Sequence, residues 1–353
     1  MNNTKAKQNI DFEKLLNSAS LRITDEIKEP PICLSIVKNN KTAIFGTLGN
    51  FSVIAGKPKS RKTFFVSAIV GATLNGSSYM NIKPSFPKEK QTVIYIDTEQ
   101  SKFHARRVME RAFKIANIST QEHPKNFQYY TIKRYSPDLR LKLIDYLINK
   151  TNNLGLVIID GIRDVVTSIN DEREATKVAT YLMKWVDEKN IHIVTVLHQN
   201  KGDNNVRGHL GSELENKAES IINITKHTKQ DEFSSVEAKN MRDISFDTYS
   251  FGINEDGILY EAENPEIGNV VRNQKFDEFS DNEYMDMVRF VFKKLGTLKF
   301  DDFVQILRTY EKTKIGYNKA VHILKHIKDK KGYIIYHEKQ KMYSSNIDKL
   351  AFE

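Results

Sequence analysis

The chain has 353 residues, 28% of them charged and 39% apolar, with a net charge of +9. That length and balance exclude a small disulfide scaffold and a disordered polyelectrolyte, and leave room for one large globular domain and a smaller one. A single cysteine, Cys33, rules out an internal disulfide and a cysteine-based zinc site; no apolar run approaches a membrane span and the N-terminus lacks a signal-peptide core, so a reducing cytoplasm is expected.

Residues 1–31 read as a polar N-terminal arm with one amphipathic patch. Phe12, Leu15, Leu16, Ala19 and Ile23 recur at helical spacing, and Pro30 with Pro31 stops any helix. Two readings fit the patch: a short helix packed on its own domain, or an arm that docks onto a neighbouring subunit.

Over residues 32–260 short apolar runs alternate with longer helical segments. The runs are 52-SVIAG-56, 92-TVIYID-97, 155-GLVIID-160 and 191-IHIVTVL-197. None shows polar alternation, so both faces should be covered, as in a mostly parallel sheet flanked by helices. Helical patterns lie between them, for example 102-KFHARRVMERAFKIA-116 and 173-REATKVATYLMKWVDEK-189. A strand pair, 234-SSVEAKNMRD-243 with 246-FDTYSFGINEDG-257, closes this α/β domain with a hairpin.

Residues 261–280 are polar and weakly patterned and read as a linker. Residues 281–353 then give helix patterns at 281–296, 300–312 and 316–332 and a hairpin at 333–345, the outline of a winged helix. This segment holds 15 Lys and Arg against 10 Asp and Glu, a net of +5, so about half of the chain's excess charge sits in its last fifth. Lys319, Lys325 and Lys328 on the third helix and Lys339 in the wing would contact DNA phosphates. A winged helix used for protein contacts, with its lysines merely solvated, is the other reading.

The stretch 51-FSVIAGKPKSRKTFFVSAIVGATL-74 carries the chemistry. Gly56, Lys57, Pro58, Lys59, Ser60, Arg61, Lys62, Thr63 and Phe64 make a phosphate-loop pattern in which Arg61 stands where the usual second glycine would be. By itself the string is common, but it follows an apolar strand and opens an apolar helix. There, backbone N–H groups and the helix dipole hold the phosphates of ATP. Lys62 would reach the β- and γ-phosphates, and Thr63 would take Mg²⁺. Asp160, ending a second strand, would hold Mg²⁺ through water, and Glu99 places a carboxylate beyond a third. All three elements converge at the carboxyl ends of the strands. A positive φ at position 61 would cost arginine about 1 kcal/mol; if Arg61 already begins the helix, φ is negative and the cost vanishes.

These pieces resemble the RecA-like P-loop ATPases, most closely the hexameric helicase branch with RepA-type and DnaB-type proteins, in forms carried on bacterial mobile elements and phages. The resemblance covers roughly residues 40–258 and rests on 56-GKPKSRKT-63, 97-DTEQ-100, 157-VIIDGIRD-164, 198-HQNKGDNNVRGHLGSELENKAESIINI-224 and 236-VEAKNMRD-243. It departs from the family at Arg61. It implies a homo-oligomeric ring, a hexamer, with ATP between subunits. Glu99 would polarise the attacking water, and His198 with Gln199 would sense the γ-phosphate. Arg207, or Lys239 and Arg242, would act as cationic fingers in the neighbouring site. Lys239 and Arg242 are three apart, so a regular strand would point them to opposite faces unless a bulge intervenes. The segment 200–212 reads as a mobile loop near the ring centre, where Lys201 would meet DNA.

Beside a RecA-like signalling or defence ATPase, which stays open, two functions follow as expectations. One is an ATP-hydrolysing ring motor or helicase acting on DNA in replication or mobilisation of a mobile element. The other is a non-motor, ATP-switched DNA-binding or adaptor protein, a reading helped by the lack of a primase or zinc module.

Overall fold

The computed structural model describes residues 11–200, 208–227, 233–262, 279–293, 295–310 and 317–347, apart from the side chains of 317–319 and 322. The chain divides into two compact units, Met1–Glu263 and Asn264–Glu353.

The first unit opens with helix α1 (Phe12–Ala19), capped by the Asp11 side chain. Strands β1 (Ile32–Lys38) and β2 (Lys41–Thr47) form a hairpin, and β3 (Phe51–Gly56) leads into α2 (Lys62–Asn75). Then come β4 (Ile82–Pro84), β5 (Thr92–Asp97), α3 (Lys102–Ala116), β6 (Phe127–Thr131) and α4 (Pro137–Lys150). The unit continues through β7 (Leu154–Asp160), α5 (Glu172–Lys189), β8 (His192–His198) and α6 (Gly208–Lys217). It ends with β9 (Ser220–Lys226), β10 (Ser234–Met241), β11 (Tyr249–Ile253) and β12 (Leu259–Ala262).

Among the described residues the main sheet has nine strands in the order β12-β11-β10-β9-β3-β8-β7-β5-β6. Its β9-to-β6 part is parallel, and β10, β11 and β12 extend it antiparallel. Strands β3, β5 and β7 are buried along their whole length because helices cover both faces. Alternate side chains feed two apolar cores: Ile54, Tyr95 and Ile158 meet α2 and α3, whereas Val53, Ile96 and Ile159 meet α4 and α5. Each such Ile or Val contributes about 1.5–3 kcal/mol through burial. The parallel register aligns the strand ends that matter: Gly56 lies opposite His198, and Asp97 opposite Asp160.

Several expectations are corrected here. The amphipathic patch forms a helix only over Phe12–Ala19, with Ile23 in a turn beyond it, and none of its residues is buried; Phe12 is 69% exposed and Leu16 70%. Packing on its own domain is therefore not what this helix does. The strand β12 extends through Ala262, where a linker was expected from residue 261; residues 263–278 lie outside the described residues. Within the expected 200–212 loop, residues 201–207 lie outside the described residues, and Gly208 onward is helical.

The second unit contains α7 (Asp281–Phe292), β13 (Thr297–Leu298), α8 (Phe300–Arg308), α9 (Tyr317–His326), β14 (Ile334–His337) and β15 (Met342–Ser345). Helix α7 begins in a capping box between Ser280 and Glu283. It ends earlier than its periodicity suggests, since Thr297 and Leu298 pair with β15 in the three-stranded order β13-β15-β14. Ile323, Leu324 and Ile327 are fully buried against Tyr284, Phe303 and Leu307.

Candidate nucleotide site

Glycine is required at position 56, because a Cβ there would meet the Ile224 carbonyl oxygen at 2.4 Å. The loop that follows turns through Lys59 (φ 64°) and Arg61 (φ 73°), both left-handed. Arg61 thus precedes the helix in the strained conformation; the cost-free alternative, an arginine with negative φ inside the helix, is not what forms. Comparing Arg61→Gly with Arg61→Ala isolates this strain, since both delete the guanidinium and only alanine keeps the Cβ. The glycine variant should be about 1 kcal/mol more stable in chemical denaturation.

Lys62 is buried, and its Nζ donates to the carbonyls of Gly56 (2.8 Å) and Lys57 (3.0 Å). Burial lowers its pKa to about 8, with Asp160 and Glu99 opposing the shift. Nζ also lies 3.1 Å from His198 Nδ1. A charged ammonium makes Nδ1 the acceptor, so the imidazole carries its hydrogen on Nε2, which faces Glu99 Oε1 at 3.4 Å. That contact holds Glu99 below the usual carboxylate range. His198 therefore joins the phosphate-loop lysine to the strand-end glutamate. Gln199 beside it donates from its backbone to the Gly56 carbonyl and from its side chain to Asn223.

Thr63 Oγ1 donates to Asp160 Oδ2 at 3.0 Å, and Tyr95 donates to the same oxygen at 2.8 Å. Burial raises the Asp160 pKa to about 6. One hydroxyl and one carboxylate are hard oxygen donors, a pair that suits Mg²⁺ completed by water and phosphate. No cluster of three or more His, Cys, Asp or Glu able to cage a metal occurs among the described residues. The Ser60 hydroxyl is buried without a hydrogen-bond partner inside the loop, as expected of a donor kept for a phosphate.

Lys59, Ser60, Arg61, Lys62, Thr63, Phe64, Glu99, Asp160 and His198 line one cavity of about 520 Å³. Pro58 and Lys57 are exposed on the loop beside it. Six further lining residues were not anticipated: Gln100, Val108 and Val196, and the cationic or titratable His104, Arg107 and Arg111 at spacings of three and four on one face of α3. Arg111 sits 3.6 Å over the Phe64 ring and donates to Ser67 Oγ and the Gly257 carbonyl. The spacing was visible in the sequence; which face of α3 meets the loop was not.

The proposed fingers fare unevenly. The β9–β10 register shifts between Ala238 and Asn240, so a bulge falls at Lys239. Lys239 is ion-paired with Glu215 of α6 in its own chain. Arg242 is exposed, and Arg207 and Lys201 lie outside the described residues. In the second unit Lys325 and Lys339 are exposed, Lys328 pairs with Asp329 at 3.0 Å, and the Lys319 side chain lies outside the described residues.

Strand, phosphate loop, helix and a hydroxyl on a buried strand-end carboxylate make up a nucleotide site of the P-loop type. Residues 30–204 match the model of a family described as an AAA domain. No curated protein matches the chain. Among the solved structures that resemble it are three that each match over 61% of its length. They are the RadB recombinase (16% identity, 91% of that chain, TM-score 0.43) and the ATPase domain of another protein (16%, 86%, 0.44). The third is a KaiC-like protein from the hyperthermophilic archaeon Pyrococcus horikoshii (19%, 90%, 0.44). No helix among the described residues is long and apolar enough to cross a membrane.

Proposed function

We propose that the chain is an ATP-hydrolysing, RecA-like ring ATPase of the RepA type that acts on DNA in the cytoplasm, serving a mobile element. The observation that carries this reading is the convergence of Lys62, Thr63, Asp160, Glu99 and His198 on one cavity at the strand ends. Lys62 binds the β- and γ-phosphates, leaving the loop carbonyls it now holds. That move frees His198 Nδ1, so the presence of the γ-phosphate is passed to Glu99 through one imidazole. Glu99 accepts the proton of the attacking water. Bound Mg²⁺ supplies positive charge at the phosphate oxygens, held by Thr63 and Asp160.

The ring, a hexamer in this reading, brings a cation from the neighbour. Arg242 is the described candidate already exposed; Lys239 must first leave Glu215. The exposed face of α1 supports an arm that docks onto the next subunit. Replacing Leu15 and Leu16 with Asp should leave the monomer's stability unchanged and dissociate the oligomer in sedimentation velocity; an intact oligomer would refute the arm. Helix order and the three-stranded sheet support a winged-helix reading of the second unit, with Lys319, Lys325, Lys328 and Lys339 toward duplex DNA.

The Lys239–Glu215 pair favours a second reading, an ATP-switched DNA-binding or adaptor protein in which the trans cation is withheld. Steady-state ATP hydrolysis with and without single-stranded and duplex DNA separates the two. DNA-stimulated turnover lost in Glu99→Gln supports the motor. Tight ATP binding with no turnover under any condition leaves the switch.

A further inference from the structure

Asp97 and Asp160 are register partners on β5 and β7, both buried, and both carboxylates need donors where water is scarce. Each receives one tyrosine hydroxyl. Tyr95 donates to Asp160 Oδ2 at 2.8 Å, and Tyr129 donates to Asp97 Oδ2 at 2.9 Å. The two rings are register partners on β5 and β6 and stack with centroids 4.5 Å apart and planes 8° from parallel. Asp97 Oδ1 in turn accepts the backbone N–H groups of Glu99 (3.0 Å) and Gln100 (2.8 Å). The stack therefore has one hydroxyl on the carboxylate beside Thr63 and another on the carboxylate that shapes the turn bearing Glu99.

We propose that Tyr95 and Tyr129 are paired positioning residues for ATP hydrolysis: Tyr95 orients the metal-holding carboxylate of Asp160, and Tyr129, through Asp97, orients the Glu99 turn. The proposal rests on the ATPase reading above. The Thr63 hydroxyl would offer magnesium a lone pair while its proton stays shared with Asp160, so its hold on that carboxylate would weaken. Tyr95 is then the side chain that keeps Asp160 Oδ2 aimed. Hydrogen bonds behind a metal ligand typically matter about 10- to 100-fold in metal affinity. The Tyr129 path reaches no metal-holding atom, so its loss should be felt in turnover and not in magnesium binding.

Phenylalanine at each position removes the hydroxyl and keeps the stacked ring. Magnesium is titrated into protein with a fluorescent, non-hydrolysable ATP analogue, and kcat and KM for ATP are measured at saturating magnesium. Tyr95→Phe should raise the half-saturating magnesium concentration about ten-fold. Its analogue affinity without magnesium should stay unchanged. Tyr129→Phe should leave the magnesium midpoint and KM unchanged and lower kcat about ten-fold. Because either variant could also loosen the fold, thermal melting of the unliganded proteins is run beside them, and a general loss of packing would move all parameters together and overturn the proposal. A Tyr95→Phe midpoint within two-fold of wild type, or an unchanged kcat in Tyr129→Phe, overturns the corresponding half. Wild-type protein with no magnesium-dependent nucleotide binding would defeat the parent reading as well; wild-type binding with unmoved variants defeats this one alone.

Discussion

Glu99→Gln should bind ATP and magnesium like the wild type and hydrolyse ATP about a hundred- to ten-thousand-fold more slowly, the usual worth of a positioned general base. Glutamine keeps the length of the side chain and can still meet His198 Nε2, which lies 3.4 Å from the native carboxylate. The turn that carries residue 99 should persist, because it is held by its backbone N–H to Asp97. Only the proton acceptor is lost. Lys62→Ala is the contrasting control: it removes the ammonium from the phosphate loop and should weaken binding itself severely. Turnover by Glu99→Gln within ten-fold of wild type would show that another group activates the water. A variant that neither binds nor turns over would mean the turn had collapsed. Analogue binding and single-turnover hydrolysis on the same preparation distinguish these outcomes.

The sheet was legible because its central strands are buried on both faces, which leaves runs such as 155-GLVIID-160 without polar alternation. The phosphate loop was legible for a related reason: strand and helix flank it directly, so sequence neighbours are also spatial neighbours. What stayed hidden depends on register and conformation. Tyr95 and Tyr129 are 34 positions apart in the chain, and only the β5–β6 pairing places one ring on the other. The letter Arg61 could be read, but not its φ of 73°. The bulge at Lys239 was posed as an option that the sequence could not decide. Helical periodicity in α1 correctly gave an apolar face, but periodicity does not say what covers that face, and its own domain does not. The β1–β2–β4 sheet was missed altogether, because β1 and β2 mix apolar, polar and small residues too closely for a clear period.

Nucleotide binding should have a pH window, with its edges set by Asp160 and Lys62. Burial raises Asp160 to about 6, so below that pH it takes a proton that magnesium must displace. Magnesium affinity should be full above pH 6 and fall by about ten-fold per pH unit below it. Burial lowers Lys62 to about 8, so above that pH the unliganded site loses the charge the phosphates require. ATP affinity should be full below pH 8 and fall by about ten-fold per unit above it, with a proton taken up on binding. The two limbs separate experimentally because only the acid one needs the metal. Binding of the analogue without magnesium should show the alkaline limb alone, and adding magnesium should bring in the acid limb. Titration of the ATP phosphates is common to all variants, so the comparison is with Asp160→Asn for the acid side and Lys62→Ala for the alkaline side. Asp160→Asn should lose the magnesium effect and its acid limb together, and Lys62→Ala should bind weakly, if at all, with no alkaline limb. An alkaline limb that survives in Lys62→Ala would assign that titration to another group and leave the buried lysine without its role.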